Sequence, residues 1–398
     1  MKAVRTYLDW NASAPLRREA RAAMVAALDL TGNPSSVHAE GRRVRALVEE
    51  ARERVAALVG AGPAEVIFTS GATEANNWAL GAGWDIIFVS DIEHDSVLAP
   101  ARASGARIVR IPVSHQGITQ TEVVASGMPG HSGASGRTLV SLQMANNETG
   151  IIQPVAATAA LAREHGVSVH TDAAQAAGRV PVDFAALDVD LLSLSSHKLG
   201  GPKGVGALVV REGTEIPAFV TGGGQERRRR AGTENVAAIA GFGAAASAAL
   251  SDVKEAQRVA AQRDHLERSL RRLTPEAVII GQSVERLPNT TCVAWPGKAA
   301  ETLVIKLDLA GIAVSAGSAC SSGKVGPSHV LAAMNLPADI ARSAVRISIG
   351  PTTNVRDIRR LLRAWGEIGA ARAFEKRARS SELPEGVRRV GDRMLEEV

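Results

Sequence analysis

From residue 42 to 59 the chain reads "RRVRALVEEARERVAALV", with Val44, Leu47, Val48, Ala51, Val55, Leu58 and Val59 at helical spacing. Arginine and glutamate fill the gaps, which predicts an amphipathic helix laid on a core. After it the period changes. "EVIFT" (65–69), "DIIFVS" (85–90), "TLVSLQM" (138–144), "VSVHTD" (167–172), "VDLLSLS" (189–195) and "GALVVR" (206–211) are apolar runs of strand length. Helical patterns lie between several of them, such as "VAATAALAREHG" (155–166), which stops on a glycine. Nearly continuous apolar strands alternating with helices predict an α/β fold, a mostly parallel central sheet between helices.

From about residue 236 the pattern turns to long helices, "NVAAIAGFGAAASAAL" and "VKEAQRVAAQRDHLERSLRRL". Shorter runs follow, "TPEAVIIG", "TTCVAWPG", "ETLVIKLDLAG" and "SAVRISIG", and then a closing helix, "NVRDIRRLLRAWGEIGA". This part reads as a smaller α+β domain, with the boundary placed inside the helix near residue 263. The stretch "SGMPGHSGASGR" (126–137) is a loop by composition.

Composition adds limits. Hydrophobic residues at 45% and charged ones at 22% are ordinary for a folded chain, so disorder is not expected. A net charge of +5 suits anionic ligands but falls short of a nucleic-acid signature. The two cysteines, Cys292 and Cys320, have no CxxC spacing, which argues against a disulfide framework and a cysteine-rich metal site. The opening "MKAVRTYLDWNASAPL" has no apolar core of a secretory signal, and no apolar run reads as a membrane span. The expectation is a cytoplasmic protein without membrane or nucleic-acid partners.

In open α/β sheets ligands bind beyond the carboxyl ends of the strands. There "SGATEANN" opens a helix with Thr73 in its first turn, a ready anion site. "DIEHDSVLAP" brings His94, and "ANNETG" brings Asn146, Asn147 and Glu148. Asp172 follows with Gln175 one helical turn on, and then Ser196, His197 and Lys198 in "SLSSHKLGGPKGVGAL". Each has an ordinary explanation: a capped helix, a structural histidine, turn asparagines, an N-cap aspartate, a solvated lysine. Five unrelated turns would seldom put all of them on one sheet edge. Together they suit an aldehyde cofactor with a phosphate and a protonatable ring. The lysine would form the Schiff base, the helix start would take the phosphate, and a carboxylate would hold the ring nitrogen protonated.

In chain order, "GNPSSVHAEGR", "TSGATEANN", "EHDSVL", "NNETG", "HTDAAQAAG", "SSHKLGGPKGVG", "GGGQERRRRAGTEN", "SAGSACSSG" and "VRISIG" resemble the motifs of the cysteine desulfurases of the NifS/IscS kind. The likeness spans residues 7–365. It implies a fold-type I pyridoxal 5'-phosphate enzyme of the class V aminotransferase kind. It further implies that sulfur is taken from L-cysteine to give L-alanine and a persulfide on Cys320. That sulfur would pass to an acceptor or iron–sulfur scaffold protein for cluster or other thio-cofactor assembly.

Carried over by motif, the resemblance makes Lys198 the Schiff-base lysine and Asp172 the partner of the pyridine nitrogen. Gln175 and Asn147 would bond the phenolic oxygen side, and His94 would stack on the ring and move protons. Ala72, Thr73, Ser195 and His197 would hold the phosphate, and Thr233 would reach the phosphate of a neighbouring subunit, which implies a homodimer with shared active sites. Arg346 would clamp the substrate carboxylate, with Asn33 assisting, and no metal is implied. The domains become 1–14, a segment joining the small domain; 15–262, the cofactor-binding domain; 263–370, the small domain carrying Cys320; and 371–398, a charged tail.

Cys292 alternates with apolar residues in "TTCVAW" and reads as a buried, inert thiol. Cys320 lies among glycine, serine and alanine, and the resemblance makes it the nucleophile that carries sulfur. The run Arg227–Arg230 ranks first as phosphate and substrate electrostatics, second as a solvated face and last as a nucleic-acid patch. One departure, "DWNASA" for "DNNATT", puts Trp10 in a polar slot and predicts a changed approach to the site. Two other readings compete. A selenocysteine lyase or related C–S lyase need not depend on Cys320, and a non-catalytic basic interaction protein would carry no cofactor.

Overall fold

The structure, a computed structural model, describes residues 5–127, 136–317 and 328–379. Among these the larger sheet has seven strands. In spatial order they are Val66–Thr69, Gly206–Val210, Leu191–Ser195, Ser168–Asp172, Thr138–Ser141, Ile86–Ser90 and Arg107–Ile111. Gly206–Val210 runs against its two neighbours and the remaining ladders are parallel. The six apolar runs of the sequence are all strands here. The pattern missed Arg107–Ile111, an edge strand whose two arginines are exposed.

The two-residue period of a strand divides the apolar residues between two faces. Phe68, Phe88, Val140, Val169, Leu192 and Val209 share one core with the helices Ala39–Leu58, Val155–Glu164 and Val236–Asp252. Ile67, Ile87, Val89, Leu139, Leu191 and Leu208 share the opposite one with Ala72–Leu80 and Asp95–Ala103. The sheet is therefore covered on both sides, as the alternation of elements requires.

The stretch Val236–Leu273 is long and apolar enough, by length and composition, to cross a membrane. Its alanines and glycines have another use. A Cβ on Gly243 would stand 2.6 Å from Ala51 Cα, so the small residues let Val236–Asp252 lie close on Ala39–Leu58. Phe242, Ala245 and Ala246 of the same helix are fully buried.

The smaller unit has a four-stranded antiparallel sheet, Ser315–Ala316, Ala344–Ser348, Thr290–Ala294 and Val278–Ile280 in spatial order. Its core joins Val259, Leu266, Leu270, Leu303, Leu361 and a stacked pair, Trp295 and Trp365, with ring centroids 4.8 Å apart. Leu8 belongs to this core, and Thr6–Tyr7 pairs with Ile312–Ala313. Ala249 still packs with the large sheet whereas Val259 packs with the small one. The chain thus changes core at the single turn Val253–Glu255, ahead of the boundary expected near residue 263.

Candidate active site

A cavity of about 500 Å³ opens at the carboxyl edge of the large sheet. Thr69, Ser141, Asp172 and Ser195 end parallel strands there, and the reversed strand begins there with Gly206. Register sets Gly206 opposite both Thr69 and Ser195. A Cβ on Gly206 would lie 2.5 Å from Leu194 O and 2.7 Å from Gly71 Cα, so only glycine lets the Gly71 turn cross this strand. That turn starts the helix Ala72–Leu80, and no side chain caps it. Ala72, Thr73 and Glu74 line the cavity, and the free amides of a helix's first turn favour an anion.

Lys198 follows Ser195 in a short 3₁₀ turn, Ser196–Lys198. Its Nζ donates to the carbonyl oxygens of Asn11 at 2.5 Å and Ala12 at 3.1 Å. Lys203 and His197 also line the cavity. Burial, followed by the charges of Lys198, Lys203 and Arg179, pushes the His197 imidazole down to about 4. A neutral His197 can hydrogen-bond an anion, while the lysines supply the charge. Arg230 donates to Glu74 Oε1 at 3.0 Å, which ties one residue of the arginine run to the same helix start. Burial raises the Glu74 carboxyl, but hydrogen bonds from Arg230 and Ser70 outweigh it and the net shift is downward.

Asp172 closes its strand nearly buried. Its Oδ1 accepts from the Ala174 amide at 2.9 Å and its Oδ2 from Asn76 Nδ2 at 2.8 Å. Gln175 Nε2 donates to Asn11 O at 3.0 Å, and its Oε1 accepts from Arg179. His94 caps the helix Asp95–Ala103, its Nδ1 accepting from the Ser96 amide at 3.1 Å. Burial lowers the His94 imidazole, Lys198 and His329 add to that, and Asp172 and Asp95 oppose it.

The residues His94, Ala72, Thr73, Asn147, Asp172, Gln175, Ser195, His197 and Lys198 all line this one cavity. Arg346 does not. It is 1% exposed, behind Asn147, donating to the Asn147 carbonyl at 2.9 Å and to Asp9 Oδ1 at 2.8 Å. Asn33 is exposed and closes its own turn on the Ser35 amide at 2.9 Å, away from the cavity. Thr233 is exposed and also outside it. Trp10 departs from its expectation, because its ring packs under Gly350 and lines no part of the cavity. Cys320 lies outside the described residues. Gly317 and Ser328, which bracket residues 318–327, both approach Glu148: Ser328 Oγ donates to Glu148 Oε2 at 2.5 Å, and a Cβ on Gly317 would lie 3.3 Å from that oxygen. Cys292 is fully buried, and burial with the nearby Glu148 pushes its thiol up to about 12, an inert group.

Pattern reading put "DWNASA" at the approach to the site but gave no role to Asn11–Ser13, which closes the cavity from more than 180 residues away. It also missed Lys203, although that second lysine of the same glycine run was open to view, and Ser96. The donor set fits pyridoxal 5'-phosphate: a primary amine for the aldehyde, a carboxylate for the ring nitrogen, and an uncapped helix start beside His197 for the phosphate.

Comparison with known proteins agrees in fold and in length. Residues 6–361 match the family Aminotransferase class-V. "Cysteine desulfurase IscS" of Dictyoglomus turgidum is 40% identical over 88% of this chain and 91% of that protein. "Cysteine desulfurase" of Cereibacter sphaeroides is 42% identical over 90% of this chain and 94% of that one. Among solved structures, a NifS-like protein from Rickettsia africae superposes with a TM-score of 0.84 at 34% identity, covering 92% of this chain and 99% of its own.

Proposed function

We infer, from the premise that this chain belongs to the class-V aminotransferase family, that it is a pyridoxal-phosphate-dependent cysteine desulfurase. The enzyme takes sulfur from L-cysteine, releases L-alanine and hands the sulfur to an acceptor. The observation that carries this reading is the meeting of Lys198, Asp172 and the uncapped Ala72–Leu80 start in one cavity.

Pyridoxal 5'-phosphate bound there supplies an aldehyde for the substrate amine and a cationic ring that accepts charge from the α-carbon. The protein does the rest. Ala72, Thr73, Ser195 and His197 would hold the phosphate, and Asp172 would keep a proton on the ring nitrogen. Lys198 Nζ removes the α-proton and returns one, a role suited to an amine held by two carbonyls at the cavity wall. Cys320 acts as thiolate on the substrate sulfur. An S–S bond forms as the C–S bond breaks, the carbon keeps the electron pair and takes a proton, and the persulfide stays on Cys320.

The finer assignments are part of the same proposal. The acceptor is a thiol-bearing protein or an iron–sulfur scaffold, because a persulfide passes on by exchange. Two copies share their sites through Thr233, supported by its exposure next to Arg230, which is already bonded to the anion helix. Arg346 acts on the substrate carboxylate from behind Asn147. The reaction belongs to the cytoplasm, where a carrier thiol stays reduced.

The test is to assay alanine and sulfide from L-cysteine with wild type and Cys320→Ala, while recording the cofactor's visible band. Release that depends on Cys320 supports the desulfurase. A retained band with release indifferent to Cys320 moves the enzyme to a lyase.

A further inference from the structure

Asp172 is joined to His94 by two side chains that lie within the motifs but to which neither the motif reading nor the mechanism gives a role. Asn76 is fully buried, and its Nδ2 donates both to Asp172 Oδ2 at 2.8 Å and to Ser96 Oγ at 2.9 Å. Ser96 Oγ lies 2.8 Å from His94 Nδ1. Asn76 Oδ1 is buried with no hydrogen-bond partner, so turning the amide over would gain nothing there and would set an oxygen against the carboxylate.

The chain of bonds therefore has one direction. Asp172 accepts with both oxygens, which fixes Asn76 as donor. Asn76 fills an acceptor site of Ser96 Oγ, whose own hydrogen is then free to go to His94 Nδ1. The Ser96 amide donates to the same nitrogen at 3.1 Å. With Nδ1 accepting from both, the proton of the neutral ring resides on Nε2.

We propose that Ser96 and Asn76 are positioning residues that hold His94 as the neutral Nε2–H tautomer and tie that tautomer to the carboxylate state of Asp172. The inference rests on the desulfurase reading, in which His94 lies against the ring that Asp172 holds. It has a direct consequence for reactivity. His94 reaches the reacting atoms as a donor from Nε2, and it becomes a cation only if Nδ1 gives up two hydrogen bonds. The charged groups facing the imidazole are Asp172, Asp95, Lys198 and His329, from four different elements. Burial lowers the imidazole most, and the donors on Nδ1 act in the same direction.

The test reads the tautomer itself. Solid-state nitrogen NMR of the holoenzyme labelled with [15N]histidine, with the His94→Gln spectrum subtracted, reports which ring nitrogen carries hydrogen. Wild type and Ser96→Thr are expected to show Nε2–H alone. Asn76→Ala, which lets the Ser96 hydroxyl turn and accept from the ring, is expected to show a new population protonated at Nδ1, whereas Ser96→Ala keeps the residue-96 amide on that nitrogen and stays Nε2–H. In Ser96→Ala the acid limb of kcat/KM moves to higher pH by about one unit, and threonine restores it. An unchanged tautomer in Asn76→Ala, or an unchanged limb in Ser96→Ala, with or without lower activity, would overturn the proposal. If Asn76→Ala does not fold, the limb in Ser96→Ala decides. The spectrum needs no turnover, so a protein inactive on L-cysteine would remove the desulfurase reading and leave the tautomer result to stand or fall alone.

Discussion

The buried Arg346 and the half-buried Asp9 pair at 2.8 Å across 337 residues of sequence, and Ser315 Oγ donates to the other Asp9 oxygen at 2.8 Å. The guanidinium is thereby oriented before any ligand arrives. Asp9→Ala leaves that charge without its carboxylate and should destabilise the protein by about 3 kcal/mol, read from denaturant midpoints. It should also raise KM for L-cysteine more than it lowers kcat. Arg346→Lys keeps the charge and loses the fork, so its KM should rise as well.

Lys198 has the cavity's reacting amine. Lys198→Ala should abolish the visible cofactor band of wild type and lower kcat by at least roughly 10²-fold. A variant that keeps both the band and wild-type turnover would remove Lys198 from its role.

Gly350 lies outside the cavity, yet a Cβ there would meet the Trp10 ring at 2.1 Å. Gly350→Ala should cost about 1–3 kcal/mol in a urea titration, and Trp10→Leu in the same chain should recover part of it.

His170 is fully buried between Ser141 Oγ and Ser193 Oγ, at 2.9 and 3.0 Å, and burial pushes it down to about 4. A histidine depressed in the fold binds its proton more readily when unfolded. Its contribution is therefore complete above the unfolded value of 6.5 and is lost as pH falls towards 4. The loss amounts to about 3 kcal/mol, and His170→Asn should flatten stability against pH over that window.

Glu148 has the opposite sign. Burial raises it from 4.5 to about 7, with Ser328 and Arg346 pulling back. Its contribution is complete below 4.5 and is lost as pH rises through about 7. Glu148→Gln should remove that decline, measured as urea midpoints on either side of the window.

The strands and the residues at their ends were legible because an apolar run marks its own limits. Asp172 and Lys198 each stand where such a run meets polar residues and glycine. Distance along the chain hid the rest. Nothing local to "DWNASA" says that the carbonyls of Asn11 and Ala12 take a lysine 187 and 186 residues away. Trp10 looked like a change at the mouth of the site because sequence gives no direction for a ring, and Gly350 turned out to be its neighbour. Asn76 and Ser96 were passed over for a similar reason. One lies on a helix and the other on the next, and only the folded sheet edge brings them together.

Asn11 also binds Thr290 Oγ1, Asn289 Nδ2 and Ser348 Oγ. It leaves the ribosome 337 residues before that serine. During synthesis the large sheet can form, and Lys198 can take its place at the strand end, while the segment that cages its amine still lacks its own support. The site is therefore finished from both ends of the chain at once, and a chain stopped short of Ser348 holds a reactive lysine with an unsecured cage.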